Sequence, residues 1–133
     1  MSDSKKRRPV NTATAPQAIG PYSQGCQAGC FLFVSGQLPI DPETGDLVTG
    51  DIARQTHVIM RNIGEITRAA GTGLDQVVKT TIFLTDLSHF DTVNSAYGSY
   101  FEDAPPARST IQVAALPKGA DIEIEAVVYL DQQ

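Results

Sequence analysis

Residues 105–126 read PPARSTIQVAALPKGADIEIEA and contain two segments with the composition of strands, separated by a turn that proline and glycine mark. Arg108 lies at the start of the first segment, and Glu123 and Glu125 lie in the second. An arginine presents a fork of donors, so on a rigid strand it is suited to bind a small carboxylic acid. We expect the rest of the chain to form the scaffold and the pocket walls around these two strands.

The second segment has a period of two residues. Residues 122, 124, 126, 128 and 130 are apolar, and residues 121, 123, 125 and 129 alternate with them. We expect the apolar side to pack on helices and the carboxylates to face solvent, a partner chain or a pocket. Residues 31–34 read FLFV, and such a continuous apolar run is typical of a strand covered on both faces.

Two segments have the periodicity of helices. Apolar side chains recur every three or four positions in residues 51–70, and Gly71 follows as a stop signal. A second helix is predicted to begin at Ser88, which has the spacing of a capping box with Asp91, and to end before the prolines at 105–106. The predicted strands span 22–28, 30–37, 76–85, 108–115 and 121–130.

The predicted order is β-β-α-β-α-β-β, which indicates an α+β fold with two helices on one face of a mixed sheet. Two helices leave the other face of the sheet bare in a monomer. We therefore expect self-association through that face, with Phe33, Val113 and Val127 as candidate contacts.

The length of 133 residues predicts one domain. Four of the ten basic residues occupy positions 5–8, so we interpret residues 1–10 as a mobile basic tail and residues 11–133 as the single domain. The net charge is −5, and without the tail the chain is still more acidic, so nucleic acid is not an expected partner. The N-terminal residues lack the apolar stretch of a secretory signal, and no apolar run approaches the roughly 20 residues that span a bilayer; a cytoplasmic protein is expected.

Cys26 and Cys30 are the two cysteines of the chain, and their spacing matches no zinc or redox pattern. If a hairpin joins the first two strands, its loop decides how they face. A two-residue loop at 28–29 would pair Gln27 with Cys30, and a three-residue loop would pair the two cysteines. We expect free thiols, as is usual in a reducing compartment.

Five fragments together carry a family resemblance: IGPYSQ (19–24), VSGQ (34–37), TVN (92–94), PARS (106–109) and IEIEA (122–126). With the order of elements, they closely resemble the RidA/YjgF family of imine deaminases over nearly everything from residue 12 to residue 129. The resemblance implies a chorismate-mutase-like fold, assembled as a homotrimer with three sites between subunits.

The implied reaction is the hydrolysis of 2-aminoacrylate-type enamines and imines to 2-keto acids and ammonia. These substrates escape from pyridoxal-phosphate-dependent dehydratases that act on serine and threonine. The family needs no metal and no organic cofactor, and the sequence contains no cluster with metal-ligand spacing.

The resemblance also implies roles for residues that match the motifs. Arg108 matches the arginine that holds the substrate carboxylate, Glu123 the glutamate associated with the hydrolytic water, and Tyr22 a tyrosine that lines the site. The implied substrate-binding set also contains Ser35, Gly36, Asn94 and Thr110, the last of which stands where many members have cysteine. Asn94 is expected to organise the pocket, and Gly36 to bring backbone close to the ligand.

The chemistry of the residues agrees with this reading. Bidentate binding by Arg108 would orient the C=N bond, and Glu123 would shuttle protons to or from water. Two other functions stay open: a module that binds 2-keto acids without catalysis, and a ribonuclease or translation inhibitor, which the acidic composition disfavours. Without the motifs, a surface ion pair would explain Arg108 better than ligand binding, and a solvated strand face would explain Glu123 better than catalysis.

Overall fold

Six strands form one mixed sheet, with two helices packed against it, in the computed structural model, which describes residues 6–131. The strands are β1 (Arg8–Val10), β2 (Gly25–Ala28), β3 (Phe31–Gln37), β4 (Val77–Leu84), β5 (Ala107–Gln112) and β6 (Ile122–Tyr129). The helices are α1 (Ile52–Ala69) and α2 (Phe90–Gly98). The α+β class and the two helices on a mixed sheet are as the sequence predicts.

The strand order in the sheet is β1-β2-β3-β6-β4-β5, with β4 and β5 parallel and the other pairs antiparallel. The two strands of the 105–126 stretch are therefore not neighbours, because β4 lies between them. The connection at 113–121 passes the end of β4, where the Val113 amide donates to Leu84 O at 2.8 Å and the Thr85 amide donates to Asp121 O at 3.1 Å. These bonds hold β5 and β6 on opposite sides of β4.

The core lies between the helices and one face of the sheet. Alternate residues of β6 are buried there, as the two-residue period predicts. The largest fully buried side chains include Leu32, Ile59, Met60, Ile63, Ile66, Ile82, Leu84, Ile122, Ile124 and Val93. α1 forms where predicted because its apolar stripe faces this core and Asp51 caps it, accepting hydrogen bonds from the amides of Ala53 and Arg54.

The start of α2 differs from the predicted capping box. Asp86, not Ser88, provides the side-chain acceptor, and it binds the Ser88 amide at 2.9 Å. A short turn of 3₁₀-helix over Leu87–His89 follows, and the helix itself begins at Phe90 without a side-chain cap. Ser88 therefore lies in the preceding turn, one residue before the N-cap position that a capping box requires.

The sequence prediction placed too many residues in the mobile tail. Arg8–Val10 form β1, which pairs with β2 in the register Arg8 to Gln27 and Val10 to Gly25. Pro9 is tolerated because β1 is an edge strand. Residues 1–5, which include part of the basic run, lie outside the described residues. The predicted strand at 22–28 is shorter than expected and begins at Gly25.

The hairpin between β2 and β3 has neither of the two loops that the cysteine spacing allowed. Ala28 pairs with Phe31, so the loop consists of Gly29 and Cys30. Gly29 has φ of 59°, a left-handed conformation that suits a tight two-residue turn. Cys26 faces Phe33 across the ladder, and both thiols are free, as expected.

The sheet face away from the helices is uncovered in the protomer. It carries large apolar side chains, of which Phe33 is 48% exposed, Ile111 45% and Tyr129 38%. We call this surface the open face. In the part of the chain that is described, no helix has the length and apolarity to span a lipid bilayer.

Candidate functional site

The first group of predicted site residues surrounds Glu123 on β6. A cavity of about 320 Å³ is lined by Tyr22, Ser35, Gly36 and Glu123, together with the apolar or cyclic residues Ile19, Leu38 and Pro117. We call this cavity the Glu123 pocket. Fragments far apart in sequence, IGPY, SGQ and IEIEA, thus meet in one place.

A β-bulge brings Ser35 and Gly36 to the pocket. Val34 pairs with Ala126 and Gln37 pairs with Ile124, so two residues of β3 stand opposite one residue of β6. Such a bulge bends its strand and redirects the side chains beside it. The alternation of the strand is broken here, which is why both Ser35 and Gly36 line the same cavity.

Gly36 is required for the position of the Glu123 carboxylate. A Cβ atom built on Gly36 would overlap Oε2 of Glu123 and lie 2.7 Å from its Cδ. A residue with a side chain would therefore displace the carboxylate. The expected close approach at Gly36 is made by the glutamate within this protomer.

Ser35 and Tyr22 are held by hydrogen bonds along the pocket wall. The Ser35 hydroxyl donates to Ser23 O at 2.6 Å, and the Ser35 amide donates to Gln24 O at 2.9 Å. These bonds attach the IGPYSQ segment to β3. The Tyr22 hydroxyl accepts from the Ile19 amide at 3.2 Å, which leaves its own proton available for a ligand.

Glu123 has the properties of a proton-transfer group. Burial raises its pKa above the ordinary carboxyl value, and the negative charge of Glu125 raises the pKa further. Within residues 6–131, no cation pairs with Glu123 and no donor binds its carboxylate. A carboxyl group with a raised pKa in a cavity is suited both to give and to take a proton.

The second group surrounds Arg108 on β5. Its guanidinium carbon lies 5.1 Å from the ring centroid of Tyr97 and 5.6 Å from that of Phe90, both on α2. Among residues 6–131, Arg108 forms no ion pair. The side chain is half-buried, so a fixed positive charge without a counter-ion is present here. This arrangement excludes an internal salt bridge within the described protomer as the reason for Arg108.

Asn94 and Thr110 belong to the same group. Thr110 follows Arg108 by two residues and lies on the same side of β5, while Asn94 lies between Phe90 and Tyr97 on α2. The Asn94 Oδ1 and Thr110 Oγ1 atoms are buried and have no hydrogen-bond partner in the described chain. Buried polar atoms are rarely left unpaired, so their state favours a site that a ligand, water or another chain completes.

The two groups lie on opposite faces of the sheet. Arg108 is the register partner of Thr80 on β4, and Glu123 is the partner of Phe83. Residues three positions apart on a strand point to opposite faces. Tyr22, Ser35, Gly36 and Glu123 form one half, and Asn94, Arg108 and Thr110 form the other.

Sequence analysis missed two residues of the Arg108 half. Phe90 and Tyr97 were not among the predicted site residues, but both rings lie against the guanidinium. A signal was present: residues seven positions apart on a helix share a face, and Asn94 lies between them on the same side. The pairing of that face with Arg108 depends on how α2 packs against β5. No three His, Cys, Asp or Glu residues within 6–131 lie close enough to hold a metal ion.

Comparisons with known proteins identify the family and agree with the fold. The family model described as endoribonuclease L-PSP matches residues 12–130. The human protein named 2-iminobutanoate/2-iminopropanoate deaminase is 50% identical over 121 residues, covering 91% of this chain and 88% of the human one. A Rid-family structure from Yersinia pestis has a TM-score of 0.91 at 47% identity, covering 94% of this chain and 100% of that one. The structure of E. coli TdcF with bound serine has a TM-score of 0.88 at 40% identity, with 93% and 99% coverage.

Proposed function

Because the chain belongs to the endoribonuclease L-PSP family, the family of the RidA/YjgF proteins, we propose that it hydrolyses 2-aminoacrylate-type enamines and imines to 2-keto acids and ammonia. The human relative at 50% identity is named 2-iminobutanoate/2-iminopropanoate deaminase, and this name supports the proposal. We also propose the substrate class, the mechanism and the residues of the site.

The observation that carries the proposal is the unpaired guanidinium of Arg108. A half-buried cation without a counter-ion is a ready receptor for an anion, and its fork of donors matches a carboxylate. The unpartnered oxygens belong to Thr110, on the same strand as Arg108, and to Asn94, on the adjacent α2, where a substrate would meet them. The E. coli relative holds serine, a small molecule that carries a carboxylate, and so supports this substrate class.

The proposed reaction uses the two halves in sequence. Arg108 binds the carboxylate of the imine and orients the adjacent C=N carbon. Protonated Glu123 gives its proton to the imine nitrogen, or to the terminal carbon of an enamine, which makes the C=N carbon more electrophilic. The ionised Glu123 then takes a proton from water as the oxygen attacks that carbon. Glu123 passes this proton to the nitrogen of the tetrahedral adduct and takes the hydroxyl proton as the C–N bond breaks. Ammonia and a 2-keto acid are released, and Glu123 is protonated again.

One protomer does not hold both halves in the same cavity, so we propose that each site forms between two copies in a homotrimer. The open face supports this assembly, because Phe33, Ile111 and Tyr129 are exposed there. A further cavity of about 220 Å³ on this face is lined by Phe33, Lys79, Thr81, Glu125 and Val127, with Val34 and Ala126. A second copy would cover the apolar side chains and bring an Arg108 half to a Glu123 half.

The proposed source of substrate is pyridoxal-phosphate-dependent dehydration of serine and threonine, in the cytoplasm. The test couples the protein to such a dehydratase, with semicarbazide present to trap free imine. We expect the protein to speed keto-acid release and to lower the yield of trapped imine. Arg108→Ala should abolish the gain and keep the same mass by light scattering. Unchanged release with the wild-type protein would contradict the deaminase proposal.

The ribonuclease function is the second candidate, because the matching family model is described as an endoribonuclease. The net charge of −5 disfavours binding to a polyanion. RNA cleavage that survives Arg108→Ala would favour this function. Binding of 2-keto acids without faster imine hydrolysis would favour a sensor instead.

A further inference from the structure

The guanidinium of Arg108 needs something other than a carboxylate to fix its position. No acid pairs with it in the described chain, and an arginine side chain has many rotamers. An unheld side chain would bind a carboxylate only after losing that freedom, which weakens binding. The contacts available to it are the two aromatic rings of α2.

The two rings differ in how firmly they are held. Phe90 is 39% exposed, whereas Tyr97 is 4% exposed. The Tyr97 ring is also the nearer one, with 5.1 Å between the guanidinium carbon and the ring centroid, within the range of about 6 Å for a cation–π contact. Phe101 packs on Tyr97 with ring centroids 5.0 Å apart. Tyr97 is therefore the rigid side of the contact.

The hydroxyl of Tyr97 ties its ring to the strand beside Arg108. Tyr97 Oη and Thr80 Oγ1 are 2.6 Å apart, and Thr80 is 1% exposed. Thr80 is also the register partner of Arg108 in the parallel β4–β5 ladder. Arg108 is thus connected to Tyr97 in two ways. Its backbone pairs with that of Thr80, whose hydroxyl contacts the Tyr97 hydroxyl, and its guanidinium lies against the Tyr97 ring.

We propose that Tyr97, anchored by Thr80, is the positioning residue that fixes the Arg108 guanidinium for bidentate binding of the substrate carboxylate. The effect on catalysis rests on the proposed deaminase function, whereas the position of the guanidinium against the Tyr97 ring does not. Burial raises the pKa of Tyr97, although the Thr80 hydrogen bond and the Arg108 charge oppose this effect. The hydroxyl therefore stays neutral, and the guanidinium keeps its full charge for the substrate.

The matched control is Tyr100, three residues further along. It is half-buried, its hydroxyl lies 2.9 Å from His57 Nδ1, and within residues 6–131 the rings that contact the Arg108 guanidinium are those of Phe90 and Tyr97, not that of Tyr100. Tyr100→Leu removes a similar ring from the same region. Tyr97→Leu removes the ring against Arg108, Tyr97→Phe keeps the ring without its anchor, and Thr80→Val removes the anchor from the other side.

The test measures pyruvate binding by calorimetry, the kinetics of the dehydratase-coupled reaction, and the ¹H–¹⁵N resonance of Arg108 Nε. We expect Tyr97→Leu to weaken pyruvate binding by about two- to thirtyfold, the scale of a cation–π contact, with a rise in KM larger than the fall in kcat. Tyr97→Phe and Thr80→Val should weaken it less, and Tyr100→Leu should leave it unchanged. The Arg108 Nε–H proton should be shifted upfield by ring current in the wild type and should lose this shift in Tyr97→Leu.

The outcomes separate this proposal from the deaminase proposal. If wild-type protein neither binds pyruvate nor speeds hydrolysis, the function is wrong, and the Arg108 resonance still decides the geometry. If the resonance has no ring-current shift, or if Tyr100→Leu weakens binding as much as Tyr97→Leu, the positioning role is wrong. If Tyr97→Leu fails to fold, Thr80→Val and Tyr97→Phe are compared with the wild type instead. Equal pyruvate binding by all three proteins would show that the anchor has no role.

Discussion

Arg108 and Glu123 lie on opposite faces of one sheet, on strands that flank β4 from its two sides. Neither residue has a counter-ion in the described chain. In a protomer alone, each half of the candidate site is thus open to a partner. The two residues act on one substrate only if two copies of the chain come together, and this relationship gives the sharpest test of the proposed assembly.

Arg108→Ala and Glu123→Gln are expected to be inactive alone and to complement each other when mixed. In the proposed cyclic trimer each site would take Arg108 from one copy and Glu123 from the next. Random mixing of equal amounts should leave about one quarter of the sites with both wild-type residues. The measurement is activity in the dehydratase-coupled assay after the two variants are denatured and refolded together.

Variants refolded separately and then combined without exchange are the control, and they should stay inactive. A refolded mixture with no activity, although trimers form, would place both residues of each site in a single copy.

Gly36→Ala is expected to displace the Glu123 carboxylate, because the new Cβ would overlap Oε2. We expect about 1–3 kcal/mol of destabilisation, as for other overpacked sites, and a loss of activity near 100-fold from the misplaced group. Chemical denaturation and the coupled assay measure the two effects. Gly98→Ala is the control, since nothing lies within 4 Å of a Cβ at that position of α2.

The double variant Gly36→Ala/Glu123→Ala removes the overlap. It should recover stability relative to Gly36→Ala and recover no activity. If Gly36→Ala alone retains full activity, the carboxylate position is not set by this contact.

Glu123→Gln is expected to stabilise the fold in a pH-dependent way. Burial raises the pKa of Glu123 above 4.5, so the folded state holds its proton more tightly than the unfolded state. Stability therefore falls as pH rises from the unfolded pKa through the raised folded pKa. The variant loses this ionisation, so its gain in melting temperature should be absent below pH 4.5 and should grow to a plateau at higher pH.

Melting curves recorded at a fixed protein concentration across this pH range measure the gain in melting temperature. Glu125→Gln should give a smaller gain, because the Glu125 charge is the second cause of the shift and burial the first. A gain that is constant at all pH values would contradict the burial of Glu123.

Thr110→Val is expected to stabilise the protein without ligand and to weaken keto-acid binding. The Thr110 hydroxyl is buried without a partner, and removing such a group can recover about 1 kcal/mol or more of its desolvation cost. Thr80→Val is the matched control, because the Thr80 hydroxyl has a partner in Tyr97 at 2.6 Å. That variant should be destabilised instead.

Denaturation with and without 2-ketobutyrate measures both effects. Destabilisation by Thr110→Val in the absence of ligand would indicate that another chain or a water already satisfies the hydroxyl.

Local patterns predicted the elements that are long and periodic. The stripe of residues 51–70 gave α1 within a residue at each end, and the alternation after residue 121 gave the buried side of β6. Short elements were predicted less well. β1 has three residues and no apolar pattern, so its place in the sheet comes from pairing with β2. At α2 the side chain of Asp86 caps the turn before the helix, so the helix begins after Ser88 and the expected capping box does not form.

At the candidate site, too, local patterns predicted some features and not others. Motifs predicted seven residues for the site and identified the family, since the types and spacing of side chains can be read from the sequence. They did not reveal the two groups, nor Tyr97 and Phe90 beside Arg108. The register of β4 against β5 and β6 sets which face each side chain occupies, and that register depends on hydrogen bonds between residues distant in sequence.

The sequence by itself determined the chemistry available to this protein: a forked cation, a carboxylate and a glycine. The tertiary structure alone decided that β4 separates the cation from the carboxylate. The physical reason is that alternation along a strand specifies relative sides only within that strand. The sides of different strands become related when their backbones pair.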